Sequence, residues 1–258
     1  MIKITFLGTC SGTEPMPGRN HCSFTVEINQ NVYWFDAGEG CSHRAHTTGI
    51  DVTRIRAVFI SHMHIDHIGG LANLIFTVRK VSNSKKIPHI NGNSYDVFVP
   101  DLEKFEAIKL IGNGYREDNA VNVRVIGHEV RDGLVFEDEN IRVSAIHNGH
   151  LRESGENGWH SYSYLIEACG KRIIFSGDVR FPSELDSFTY GGCDLLIMET
   201  GHHKVSDVCA YAVSRDIKKL IFNHHGREIL FDPEGSQRTV SSYPISAKIA
   251  NDGDVEII

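Results

Sequence analysis

His62, His64, Asp66 and His67 fall in one short stretch, Ser61-His62-Met63-His64-Ile65-Asp66-His67, which runs on into Ile68-Gly69-Gly70-Leu71. Three imidazoles and a carboxylate this close together make a metal-ligand set, because neutral imidazole and carboxylate are good ligands for borderline divalent cations. The preceding run Ala57-Val58-Phe59-Ile60 is apolar, β-branched and aromatic, and predicts a short buried strand. Leu71 through Val81 carries apolar positions at helical spacing. The set therefore belongs at a strand-to-helix junction, where α/β sheets usually carry their chemistry. His62 and His64, two apart in an extended turn, point to one side, while Asp66 and His67 can face an adjacent position. That pattern suits two metal ions better than one. A polar loop merely rich in histidine is the plain alternative, and the clustering argues against it.

The rest of the chain must build the frame for this set. Of its 258 residues 41% are apolar, enough for a sizeable core in one large domain or two small ones. No apolar run approaches a membrane span. Met1-Ile2-Lys3-Ile4-Thr5-Phe6 lacks a signal-peptide pattern and goes straight into alternation, so a cytoplasmic protein is expected. The six cysteines are scattered without a CxxC pair and read as reduced thiols. A net charge of −7 argues against broad non-specific nucleic-acid binding, though a local basic rim stays compatible with it.

Strands are predicted at 2–7, 23–28, 32–35, 95–99, 121–126, 134–136, 141–146, 162–168, 171–176, 194–198, 219–223 and 255–258, and helices at about 41–48, 101–111 and 206–215. Asp101 is a helix N-cap, Asn29-Gln30-Asn31 a hairpin turn, and the stretch from Phe231 towards the C-terminus polar and turn-rich. Loops are expected at 82–93 and 112–119. No linker separates two halves that each run strands into helices, so residues 1–258 read as a single α/β sandwich domain. The glycines of Asp36-Ala37-Gly38-Glu39-Gly40 allow tight packing beside the ligand set, where Asp36 can hydrogen-bond a ligand histidine. Taken alone, Asp36 and Glu39 are equally well a turn residue and a helix N-cap.

HxHxDH after an apolar strand resembles the signature of the metallo-β-lactamase superfamily. Phe6-Leu7-Gly8-Thr9-Cys10-Ser11-Gly12, Pro17-Gly18-Arg19-Asn20 and Phe35-Asp36-Ala37-Gly38-Glu39-Gly40 resemble its ribonuclease Z and cyclic phosphodiesterase branch. The resemblance runs over nearly the whole chain and implies an αββα four-layer sandwich. It also implies further ligands. One histidine is needed just past a strand end, and His147, His150 and His160 are on offer; Gly149-His150-Leu151 is most like the family pattern. Ser176-Gly177-Asp178 resembles the motif whose carboxylate bridges both metals, and two oxygens allow that bridge. His224 stands where the last metal histidine is expected, with His225 the weaker choice. His202, with His203 close behind, precedes His224 by about the interval at which ribonuclease Z-like enzymes place a non-metal histidine that handles the scissile phosphate.

The implied first site is His62, His64 and His150, and the second Asp66, His67 and His224, with Asp178 bridging. Zn²⁺ suits the first, and Zn²⁺ or Mn²⁺ the more oxygen-rich second. Water held by two such ions has its pKa lowered to about 7, which makes the expected chemistry metal-assisted hydrolysis of a phosphodiester. Asp66 would orient the nucleophile and His202 stabilise the phosphate or assist the leaving oxygen. The insert Arg152–Trp159 is too short for the protruding tRNA-binding arm of ribonuclease Z and carries no basic run, so a small cyclic or nucleotide phosphodiester stands beside RNA as substrate. Trp159 is a candidate base-stacking or lid residue, or simply a loop anchor. Carbon-ester, lactone or thioester hydrolysis is the alternative on the same ligands, and a non-catalytic metal-binding member another. Relatives often dimerise, so a homodimer is an expected assembly.

Overall fold

The computed structural model describes residues 1–84, 89, 92–114, 122–151 and 158–258. Two compact units emerge. The first comprises Met1–Gly8, Gly18–Val130 and Asp252–Ile258, and the second Thr9–Pro17 and Arg131–Asn251.

The first unit contains β1 (Lys3–Gly8), β2 (Ser23–Ile28), β3 (Asn31–Phe35), helix α1 (Cys41–Thr47), β4 (Ile55–Phe59), the one-turn helix α2 (Ile65–Ile68), α3 (Leu71–Ser84), β5 (Ser94–Val99), α4 (Leu102–Gly112) and β6 (Arg124–Glu129). The second contains β7 (Gly133–Glu137), β8 (Arg142–His147), β9 (Tyr162–Ala168), β10 (Lys171–Phe175), α5 (Asp186–Thr189), β11 (Leu195–Glu199), α6 (Val205–Ser214), β12 (Lys219–Asn223), α7 (Arg227–Phe231), α8 (Pro233–Ser241) and β13 (Ser246–Ile249). The last strand, β14 (Val255–Ile257), belongs to the first unit. Each unit holds one seven-stranded sheet, ordered β14-β1-β2-β3-β4-β5-β6 in the first and β13-β12-β11-β10-β9-β8-β7 in the second.

In the first sheet, one face packs against helix α3. Val32, Trp34, Val58 and Val97 pack with Leu71, Leu74, Ile75 and Val78 of α3 into a buried cluster, each such side chain contributing roughly 1.5–3 kcal/mol by leaving water. The other face carries a row of rings, one per strand. Phe6, Phe24, Phe35, Phe59, Phe98 and His128 stand directly opposite one another in register. Successive ring centroids are 5.9, 5.0, 4.9, 5.2 and 4.8 Å apart. A one-residue slip of any strand would turn its ring to the opposite face, so the row pins the register. Phe35 and Phe59 are its members on β3 and β4, and the residues just beyond them carry Asp36 and Ser61-His62.

In the second sheet β10, β11, β12 and β13 run parallel. The first three of these strands end at Ser176-Gly177-Asp178, Glu199 and His224, so their C-terminal ends bring those side chains to one edge of the sheet.

Most expected elements are present within a residue or two. Asp101 caps α4 by accepting from Lys104 N–H at 3.0 Å. Asn29 and Gln30 both have positive φ, the conformation of a type I′ hairpin. The expected strand at 121–126 is β6, shifted towards the C-terminus, and Val121 lies outside the described residues, as do 85–88 and 90–91 of the expected loop 82–93 and 115–119 of the expected loop 112–119. The polar stretch after Phe231 is a correction: it forms α8 and then β13. Asp232 caps α8 through Gly235 N–H at 2.9 Å with Pro233 in its first turn, a start signal that polarity alone conceals. No helix among the described residues is long and apolar enough to cross a membrane.

Candidate metal centre

The contiguous ligand set is held by Asp36. Parallel pairing of Phe35 with Phe59 places the two strand ends side by side, and Asp36 N–H donates to Phe59 O at 2.9 Å. The Asp36 carboxylate then accepts from Ser61 N–H at 2.7 Å, from Ser61 Oγ at 2.8 Å and from His67 Nδ1 at 2.6 Å. A carboxylate oxygen can only accept, so Nδ1 carries the His67 proton and Nε2 keeps the lone pair a metal requires. A further chain fixes Asp36: Trp34 Nε1 donates to Ser23 Oγ at 2.9 Å, and Ser23 Oγ to Asp36 O at 2.8 Å. Asp36 sits at φ 51°, strained for a residue with a Cβ. Asp36 thus contacts Ser61 and His67, while the residue capping α1 is Gly40 rather than Glu39.

His62 Nε2 and His64 Nδ1 are 3.0 Å apart, and His62 and His67 ring centroids 4.0 Å. Asp66 Oδ2 is 3.4 Å from His67 Nε2. His62 and His67 are fully buried and Asp66 nearly so. Gly70 explains the tight turn that follows: a Cβ there would strike the Gly38 carbonyl and the Cys41 sulfur.

The second unit gathers its candidate ligands from separate strand ends. Asp178 Oδ1 is 3.3 Å from His224 Nδ1, and Asp178 Oδ2 is 3.7 Å from both His150 Nε2 and His202 Nδ1. Asp178, His224 and Glu199 are each 1–2% exposed. Asp178, Glu199, His202 and His224 present ligand atoms within 4.8 Å of one another. Such a mixed carboxylate and imidazole donor set fits a divalent cation of the Zn²⁺ or Mn²⁺ type. His224 adopts φ 48°, and a Cβ on neighbouring Gly201 would come within 2.7 Å of its ring, so only glycine leaves that imidazole its space.

Glu199 is the residue the sequence reading missed. Its carboxylate accepts from Val179 N–H at 3.2 Å, His202 N–H at 2.9 Å and His202 Nδ1 at 3.1 Å. Burial alone would raise its pKa, but hydrogen bonds from His202 and His224 hold it below the usual carboxylate range. The hydrogen bond that His202 donates to Glu199 in turn raises the His202 pKa, with Asp178 adding to the effect. The signal was an acidic residue ending an otherwise apolar strand immediately before Thr200-Gly201-His202-His203.

The alternatives separate by their partners. His147 Nδ1 is bound to Asp132 at 2.6 Å and its ring stacks on Trp159 at 4.0 Å. His160 is in none of the metal-competent clusters among the described residues. His225 Nε2 donates to Ala250 O at 2.7 Å, and its backbone N–H to Thr9 O at 2.7 Å, which makes it a fold anchor. His203 Nε2 donates to Val179 O at 3.0 Å with the side chain 11% exposed, whereas His202 is 45% exposed. Of the insert expected at Arg152–Trp159, residues 152–157 lie outside the described residues.

Two seven-stranded sheets with flanking helices and metal-competent strand ends define a hydrolase of the metallo-β-lactamase type, the αββα sandwich. The chain is similar to human tRNase Z, short form, at 20% identity and TM-score 0.74, covering 99% of both chains. It is also similar to the metallo-β-lactamase fold protein YhfI from Bacillus subtilis, at 16% identity and TM-score 0.75, covering 99% of this chain and 98% of that one. Residues 2–228 match the family model described as anti-Pycsar protein Apyc1. The ribonuclease Z of Methanothermobacter thermautotrophicus is 32% identical over 280 aligned residues, 87% of this chain and 86% of the relative. The ribonuclease Z of Rippkaea orientalis aligns over 55% of this chain and 42% of its own length. The chain belongs to the Apyc1 family, within the ribonuclease Z-like hydrolases of the metallo-β-lactamase superfamily, and is a metal-dependent phosphodiesterase.

Proposed function

We propose that residues 1–258 act as one catalytic domain that holds two divalent ions, Zn²⁺ by preference and Mn²⁺ as second choice, and hydrolyses an RNA or a cyclic or other nucleotide phosphodiester in the cytoplasm. The proposed ligands are His62, His64 and His150 for one ion and Asp66, His67 and His224 for the other, with Asp178 shared. Support comes from the match to the family pattern and from the local geometry of each set. When bound, such ions supply a nucleophile at neutral pH and neutralise charge on the phosphoryl oxygens.

The chain's own residues do the rest. Asp36 orients the His67 ring and keeps its Nε2 available. Asp66 orients the attacking group. His202, held through Nδ1 by Glu199, directs Nε2 at the phosphate or the leaving oxygen, and its hydrogen bond to Glu199 favours the charged form that this task uses. The commitment of His203 to Val179 O favours His202 in this role. A homodimer is the proposed assembly, by analogy of fold alone.

The packing of Asp178 against the His150 and His224 imidazoles, with the His202–Glu199 pair beside them, is the observation that carries this reading. Hydrolysis of bis(4-nitrophenyl) phosphate tests it. Zn²⁺- or Mn²⁺-loaded protein should turn the ester over, chelator-treated protein should not, and His202→Ala should lower kcat roughly 10²-fold or more. Metal-loaded protein inert towards phosphodiesters but active on lactones or thioesters would overturn the substrate class.

A further inference from the structure

We propose that Arg180 anchors a second, non-scissile phosphate of an oligonucleotide substrate; this rests on the phosphodiesterase reading above. The second unit contains a cavity of about 430 Å³ lined by Gly149, His150, Val179, Arg180 and His202. Its chemistry changes with depth. Asp178, two residues before Arg180, is 1% exposed and sits among the imidazoles, whereas Arg180 itself is exposed.

The local geometry presents the guanidinium to solvent already ordered. Glu184, the next carboxylate after Arg180 in the chain, is taken up by backbone. Its Oε1 accepts from Gly149 N–H at 2.8 Å, and its Oε2 from Arg180 N–H at 2.9 Å and Phe181 N–H at 3.3 Å. These bonds tie the His150 loop to the loop after Asp178 and fix the backbone from which Arg180 projects. Its guanidinium rests over the Phe181 ring, 5.4 Å from the centroid, and Phe181 is 55% exposed. Stacking on an aromatic face restrains the side chain while leaving its edge N–H groups free to bind a phosphate in bidentate fashion. The reacting phosphate belongs beside the buried Asp178. A cation at the exposed rim therefore meets the neighbouring phosphate of a longer substrate.

Three dinucleotides that share the scissile bond test this on the Zn²⁺-loaded full chain: UpU, 5′-phosphorylated pUpU and 3′-phosphorylated UpUp. One phosphorylated form should show a KM about tenfold below that of UpU, the effect of one charge-assisted contact. Arg180→Gln should erase that advantage by raising KM more than it lowers kcat, and Arg180→Lys should keep part of it. Arg142→Gln, an exposed arginine paired with Glu137, should leave the ratio intact. Equal KM values for all three substrates in the natural protein would overturn the inference. So would an Arg180→Gln variant that loses activity on all three in the same proportion, since that places Arg180 on the scissile phosphate or in loop integrity. Absence of turnover on every dinucleotide and on bis(4-nitrophenyl) phosphate would remove the phosphodiesterase reading itself, whereas turnover of the chromogenic ester without discrimination among the dinucleotides removes Arg180 alone.

Discussion

The two units hold their candidate ligands in opposite ways. In the first, His62, His64, Asp66 and His67 come from one loop and a one-turn helix, and a single buried carboxylate, Asp36, fixes Ser61 at the start of that loop and the His67 ring through three hydrogen bonds. In the second, His150, Asp178, Glu199, His202 and His224 come from the ends of β8, β10, β11 and β12, and parallel strand register brings the last four together. A local set depends on one positioning residue. A dispersed set depends on backbone precision at several strand ends, with glycine and positive φ where the chain must turn. Different kinds of substitution should therefore break each.

Loss of a carboxylate ligand is the largest expected effect in either region. Asp66→Ala should lower kcat/KM for bis(4-nitrophenyl) phosphate by roughly 10³-fold or more, because a group that orients the nucleophile and a metal ligand vanish together. Steady-state kinetics at saturating Zn²⁺ would measure this, and a loss below tenfold would deny Asp66 either role. Asp36→Asn comes next. The amide cannot accept on both sides as the carboxylate does, so His67 loses its fixed orientation, and Zn²⁺ affinity should fall about 10–100-fold, as read by chelator competition. The corresponding test of the dispersed set is a backbone one. Gly201→Ala must push the His224 ring aside and should weaken Zn²⁺ binding, whereas a glycine far from any ligand such as Gly170, with nothing within 4 Å of an added Cβ, should not affect metal binding.

The smallest effect is on pH dependence. Hydrogen bonding to Glu199 raises the His202 pKa above that of an ordinary imidazole, so the imidazolium is favoured in the folded protein. Activity that needs the charged form is present below that pKa and lost as pH rises through it. Glu199→Gln removes the main cause, and the alkaline limb of the kcat profile should move to lower pH. An unmoved limb would assign that limb to another group.

The same contrast explains what could be read from sequence. The HxHxDH candidate set was legible because its residues are neighbours in the chain and follow an apolar strand, and Asp36 only because it falls beside that set, since alone it reads equally well as a turn residue or N-cap. Asp178 and His224 were reached only through the family pattern, since a single Asp or His after a strand is commonplace until the strands beside it are known. Glu199 escaped altogether: its importance comes from burial and from the His202 and His224 rings around it, neither of which is encoded locally. The α8 helix was missed for a different reason. Its composition is polar overall although one face is apolar, and the Asp232-Pro233 start signal is masked by that polar context. Arg180 and Glu184 likewise look like ordinary loop charges until the Glu184 carboxylate is seen to hold two loops together.

The central claim is a two-metal centre in which Asp178 is shared. Metal content per chain, measured by mass spectrometry after Zn²⁺ loading and exhaustive dialysis, tests it most directly in the natural protein and in Asp178→Ala. The account predicts about two ions per chain in the first and a clear fall in the second, as expected for a bridging carboxylate. No bound metal in the natural protein, or a count unchanged by Asp178→Ala, would contradict it.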